Sequence, residues 1–127
     1  MMSNSSSLNL TVQSLKTFVP AKDYTIALEF YQAIGFELVW SNEQLSLMRC
    51  QNFSFLLQNF YEQTLAENFM MHLLVGYVDD WWQHLTRVSS QFSHPLQLTQ
   101  PENRAWGMRD FTFVDPSGVL WRVASEL

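Results

Sequence analysis

The chain has 127 residues, 47% of them apolar and 15% aromatic, and a formal net charge of −5. That is enough apolar material for one buried core, in one domain or in two small modules that share it. An acidic chain without a Lys/Arg cluster lacks the electrostatic footprint of a nucleic-acid binder, so no nucleic-acid partner is expected.

No apolar run approaches the ~20 residues of a membrane helix, so no membrane partner is expected either. The single cysteine, Cys50, excludes an intrachain disulfide. It fits a reducing compartment, and a cytoplasmic location is expected. Residues 1–12 read as a disordered or extended N-terminal tail. The Ser/Asn-rich start, Met1 to Leu8, has neither the basic residues nor the apolar run of a signal peptide.

A first module spans 13–59. Residues 14–19 read as a strand that ends at Pro20. Asp23 fits a helix N-cap, where its carboxylate can accept a free backbone N–H. Tyr24, Ala27, Leu28 and Tyr31 then recur at i, i+3, i+4 and i+7, which is one helical face. Gly35 suits the C-cap. Strands are expected at 36–41, 44–50 and 53–59, joined by the short polar turns Asn42-Glu43 and Gln51-Asn52. Residues 60–68 read as a linker.

The second module, 69–127, repeats the order. Residues 69–78 have a strand's length, and Asp79 and Asp80 stand at an N-cap position. Trp81, Leu85, Val88 and Phe92 mark an amphipathic helix, with Pro95 just past its end. A short strand at 96–99, a loop at 100–107 and strands at 108–114 and 119–125 complete it. Asp115-Pro116-Ser117-Gly118 is the clearest local signal: Asp can bond the turn's own backbone, Pro presets φ, and Gly supplies conformational freedom.

The order βαβββ therefore occurs twice. The halves superpose around their helix starts, with Asp23 on Asp80, Tyr24 on Trp81 and Leu28 on Leu85. This predicts an α+β fold of two repeated βαβββ modules, whose curved mixed sheets surround a concave cavity. Such a cavity is the default ligand site.

Four segments in this order carry a family resemblance. They are Asp23 to Tyr31 with its exit Ile34-Gly35-Phe36-Glu37, then Val78-Asp79-Asp80, then Trp106-Gly107-Met108-Arg109-Asp110-Phe111, then Asp115-Pro116-Ser117-Gly118. Over roughly residues 14–125 the chain resembles the vicinal oxygen chelate superfamily of glyoxalases, bleomycin-resistance proteins and dioxygenases. In metal-dependent members four ligands lie on the concave face, and the resemblance puts them at Lys16, near Phe55, at Leu73 and at Arg122. Lys and Arg carry positive charge, and Phe and Leu have no donor atom, so none of the four can ligate a cation. A one-residue slip would bring in His72, but it would also turn that side chain to the other sheet face. His72 is therefore expected to face the helix layer, and His84 and His94 to be solvated. The resemblance then points to the metal-free, bleomycin-resistance-like branch, with no metal and no cofactor.

With those positions facing inward, strand alternation gives a candidate ligand site. Lys16 brings Phe18, Phe55 brings Leu57, and Leu73 brings Met71 and Val75. Arg122 brings Leu120 and Ala124. Phe111, Phe113 and Trp121 go to the core, which leaves Asp110 and Thr112 facing the cavity. Trp40 and Trp106 sit either at the cavity rim or in ordinary packing or dimer contacts. Lys16 and Arg122 either pair with Asp110 or Glu37, or hold an anionic or electron-rich group on a mostly aromatic ligand.

The expected function is a metal-independent small-molecule binding protein that sequesters an aromatic antibiotic or metabolite. Its partners are a small aromatic or anionic organic ligand and, by the resemblance, a second copy in a homodimer. The alternatives are a metal-independent lyase or isomerase, with Tyr77, Asp110 or Lys16 as acid or base, and a structural dimer whose cavity is filled core. No nucleophile, base and oxyanion donor occur together, so binding is favoured over catalysis.

Overall fold

In the computed structural model of the chain, residues 7–93 and 96–127 are described. The first module consists of β1 (Phe18–Pro20), α1 (Tyr24–Ile34), β2 (Glu37–Ser41), β3 (Leu45–Cys50) and β4 (Phe53–Gln58). Asp23 caps α1 by accepting the N–H of Ile26, and Gly35 ends it with φ at 122°. A positive φ of that size suits glycine, which has no Cβ to clash. The strands lie in the order β1-β4-β3-β2, with β1 parallel to β4 and the other pairs antiparallel.

The second module consists of β5 (Met70–Leu74), α3 (Val78–Ser89), β6 (Gln97–Leu98), β7 (Glu102–Asn103), β8 (Met108–Val114) and β9 (Leu120–Glu126). Its order is β5-β9-β8-β6, with β7 also on β8 and with β5 parallel to β9. The Asp115 turn forms as expected: Gly118 N–H donates to the Asp115 carbonyl, and Asp115 Oδ1 accepts from the Ser117 and Val119 amides.

Several elements differ from the sequence expectation. The first strand begins only at Phe18, and residues 8–17 form no regular element. The segment 60–68 contains a short helix, α2 (Gln63–Glu67), whose amides at Thr64 and Leu65 are capped by Glu62. The N-cap of α3 is Tyr77, not Asp79 or Asp80. The two aspartates lie in the first turn, where their charge favours the positive end of the helix dipole. Asp79 is also held by Arg109 at 3.0 Å. The loop at 100–107 includes β7. His94 and Pro95 lie outside the described residues.

The inner faces of both sheets and the two long helices bury one common core. Tyr31 lies 5.0 Å from Phe55, 5.9 Å from Phe36 and 5.7 Å from Trp121, measured between ring centroids, and Phe113 stacks on Trp121 at 5.8 Å. Each such pair contributes roughly 0.5–1.5 kcal/mol beyond its buried area. Since Phe55 belongs to the first sheet and Trp121 to the second, the two modules are fused through aromatic contacts. Each sheet turns its other face away from this core.

Candidate functional site: the open faces of the two sheets

Strand register decides which side chains are available. In the first sheet Val19, Met48, Phe55 and Leu57 are buried in the core. Their neighbours Phe18, Leu56 and Leu47 therefore point to the open face. Phe18 pairs with Leu56, Leu56 with Leu47, and Leu47 with Trp40, so these four form one row across all four strands. Trp40 reaches the row because of a β-bulge. The β2–β3 register shifts between Leu38, which packs on the core, and Trp40. One extra residue re-aims the next side chain to the opposite face. Phe55 and Leu57, expected in the ligand site, are core residues: the position carried over near Phe55 was off by one, and with a period of two that turns the whole strand over.

The second sheet shows the same slip. Met71 pairs with Trp121 and Leu73 with Val123, and all four pack in or against the core. Met71 and Leu73 thus face the helix layer, contrary to expectation. His72, expected on the helix side, is the residue in register with Arg122. Arg122 in turn pairs with Thr112, whose hydroxyl lies 3.2 Å from that of Thr99. The shift follows from the helix start: the N-cap of α3 is Tyr77, three residues before the Asp80 used to align the halves, and an odd shift turns the assigned face over. Phe111, Phe113 and Trp121 are core residues as expected, and Asp110 shares the face of Arg122.

Lys16 precedes β1 and donates from Nζ to Ser14 Oγ at 2.5 Å. It belongs to the first module and Arg122 to the second. Glu37 is engaged by Arg49 at 3.0 Å. Trp106 is exposed in the turn between β7 and β8, where Gly107 N–H donates to the Arg104 carbonyl.

The polar centre of the second sheet is Asp110. Its carboxylate is fully buried, and Oδ1 accepts from Arg104 Nε and from Arg122 Nη1, each at 2.9 Å. Oδ2 has no partner among the described residues. A buried carboxylate is costly unless paired, and two guanidinium groups meet that need here. The pairing of Arg122 with Asp110 is one of the two arrangements left open by the sequence. Arg104 was not singled out, because nothing in the spacing of 100–107 shows that β7 pairs with β8 and brings it beside Asp110.

The residues do not fit the metal site that the family resemblance implies. Phe55 and Leu73 face the core, Arg122 is hydrogen-bonded to Asp110, and Lys16 is a cation. His72, on the open face near those positions, has a guanidinium as its register partner, and the nearby Asp110 carboxylate is taken by Arg104 and Arg122. No group of three or more His, Cys, Asp or Glu residues with metal-holding geometry occurs among the described residues.

A groove of about 710 Å³ lies elsewhere, between α1 and the segment after α3, lined by Phe30, Ala33, Phe92, Leu96, Val114 and Pro116 among others. None of the ligand-site residues expected from the sequence lines it.

No family model matches the sequence. No curated protein matches it either. Solved structures do resemble it in fold. A bleomycin-binding protein in complex with bleomycin superposes with a TM-score of 0.77 at 19% identity, covering 91% of this chain and all (100%) of the other. An antibiotic-binding protein from a Streptomyces species gives 0.74 at 18% identity, covering 94% and 100%. A lactoylglutathione lyase from Agrobacterium tumefaciens gives 0.69 at 16% identity, covering 92% and 96%. The chain shares the fold of these bleomycin-binding, antibiotic-binding and lactoylglutathione lyase structures. No helix among the described residues is long and apolar enough to cross a membrane.

Proposed function

We propose that this protein sequesters a small aromatic organic molecule without a metal, as a homodimer whose ligand cleft is lined by the open sheet faces. The observation that carries this reading is the row Phe18, Leu56, Leu47 and Trp40. It is an apolar line with an aromatic ring at each end, and Phe18 and Trp40 are 51% and 44% exposed. Apolar area of this kind gains about 25 cal/mol per Å² when covered. A planar ligand can lie along it and stack on the indole. The antibiotic-binding proteins of the same fold support this reading by analogy. The donor set described above supports the absence of a metal.

A second copy is supported by the N-terminal arm. Leu8, Leu10 and Val12 alternate with Asn9, Thr11 and Gln13, which is the pattern of a strand with one apolar face. Together with Leu15 they are 80%, 83%, 80% and 95% exposed. A strand pattern that joins neither sheet among the described residues fits onto another copy. The reducing compartment is supported by Cys50 being the one cysteine of the sequence, which leaves no intrachain disulfide to form.

The test is a binding screen of aromatic antibiotics and aromatic acids by tryptophan fluorescence and thermal shift, with each hit followed by mass spectrometry. Binding without chemical change, weakened in Trp40→Ala, is the expected result. Turnover of a hit would instead establish the lyase or isomerase, and no hit across the screen would overturn sequestration.

A further inference from the structure

Arg104 and Arg122 approach Asp110 from different strands and meet on a single oxygen, at 2.9 Å each. One guanidinium would suffice to pair one carboxylate. Two of them leave the buried part of the cluster with an excess positive charge. Each guanidinium has five N–H donors, of which Asp110 engages one. Glu102, the register partner of Asp110 on β7, has its carboxylate 3.6 Å from Arg104 and is mostly exposed, so it offsets the excess weakly. Glu126, at the far end of β9, is exposed and shares this face by strand parity.

Both arginine side chains keep 28% of their surface exposed, so each stays partly accessible beyond its bond to Asp110. His72 flanks Arg122 on one side and the Thr112 and Thr99 hydroxyls on the other, so three kinds of donor run across the strands in one row. The guanidinium forks are held by the buried carboxylate, so little side-chain freedom is lost when they engage a ligand. A fixed fork of this kind matches a carboxylate or sulfonate, which accepts two parallel hydrogen bonds.

We propose that Arg104 and Arg122, positioned by Asp110, form a receptor for the acidic group of the aromatic ligand. The ligand class is then an aromatic acid, with its ring on the Trp40 row and its anion on the second sheet. This rests on the sequestering function proposed above, and the test separates the two.

Two fluorescent probes differ only in the charged group: 8-anilinonaphthalene-1-sulfonate and the neutral N-phenyl-1-naphthylamine. Titrating the full-length protein with each should show the sulfonate binding about tenfold more tightly, as expected for one charge-assisted contact. That preference should fall as salt is raised. Arg122→Gln and Arg104→Gln should each abolish it while leaving the neutral probe's affinity unchanged, with circular dichroism confirming the fold. If the neutral probe binds the unmodified protein as tightly as the sulfonate, the receptor is overturned and sequestration stands. Failure of both probes to bind counts against sequestration itself, and against the receptor with it. The comparison on the unmodified protein decides the matter even where a variant fails to fold.

Discussion

The phenol of Tyr31 donates a 2.5 Å hydrogen bond to Asp115 Oδ2 across 84 positions of sequence, from the first helix to the turn between the last two strands. Trp121 Nε1 donates to the same phenol oxygen at 2.9 Å. All these groups are buried, and neutral donors alone satisfy the carboxylate. The bond joins the two modules at a point where neither can be solvated.

Tyr31→Phe leaves the indole N–H and one carboxylate oxygen without a partner. An unsatisfied buried group costs about 1–3 kcal/mol, so chemical denaturation should show a loss within or above that range. Ligand binding at the open faces should survive wherever the variant is folded. An unchanged midpoint would mean that the bond contributes nothing net.

Burial raises the pKa of Asp115 above its ordinary 3.8, and its hydrogen bonds from Tyr31 and the turn amides pull it back only in part. The folded protein therefore holds this proton more tightly than the unfolded chain does. The associated stability is fully present below about pH 3.8 and is lost as pH rises through the raised folded value. Asp115→Asn removes this titration. Its stability relative to the unmodified protein should climb as pH rises through that window. A constant difference between the two proteins from pH 3.5 to 7 would show that Asp115 does not titrate abnormally.

The face assignment in the first sheet makes opposite predictions for two phenylalanines. Phe55→Ala should cost about 3–5 kcal/mol, because it empties a position between Tyr31, Phe36 and Trp121. Phe18→Ala should stay within about 0.5 kcal/mol, the usual range for a surface change. It should weaken aromatic ligands all the same. Equal destabilisation by both would mean that the register is wrong.

Removing residues 1–13 deletes Leu8, Leu10 and Val12 and leaves both modules intact. Light scattering at micromolar concentration should give twice the 14.9 kDa chain mass for the full chain and a shift toward monomer for the truncated one. A full-length monomer would refute the dimer, and an unshifted truncated dimer would show that the arm is not what holds it.

Much of the fold is legible in local chemistry. Asp23, Gly35 and the Asp115-Pro116-Ser117-Gly118 turn each act through their own backbone, so a short window of sequence contains the whole cause. The apolar spacing of α1 likewise contains its buried face. The site is less legible because it depends on register, which is a property of two strands at once. Aligning the halves on Asp80, three residues past the true N-cap Tyr77, put Leu73 on the open face, where the parity of Met70, His72 and Leu74 belongs. The bulge before Trp40 leaves no local signal, since Val39 is an ordinary strand residue. Arg104 sits in a segment that looks like a loop until its partner strand is known.

Each module closes its sheet with a parallel pair, β1 on β4 and β5 on β9. The antiparallel pairs β3–β4 and β8–β9 are short-range hairpins, whereas the parallel ones join strands at opposite ends of a module. Loop-closure entropy then orders folding in time, with the hairpins first and the outer strands last. Substitutions in β3, β4, β8 and β9 should slow refolding, and those in β1 and β5 should mainly speed unfolding. The residues that present the candidate site straddle that divide. Arg122 and Leu56 are set in place early, and Phe18 and His72 only at the final step, so a binding-competent surface should appear last of all in a refolding experiment followed by ligand fluorescence.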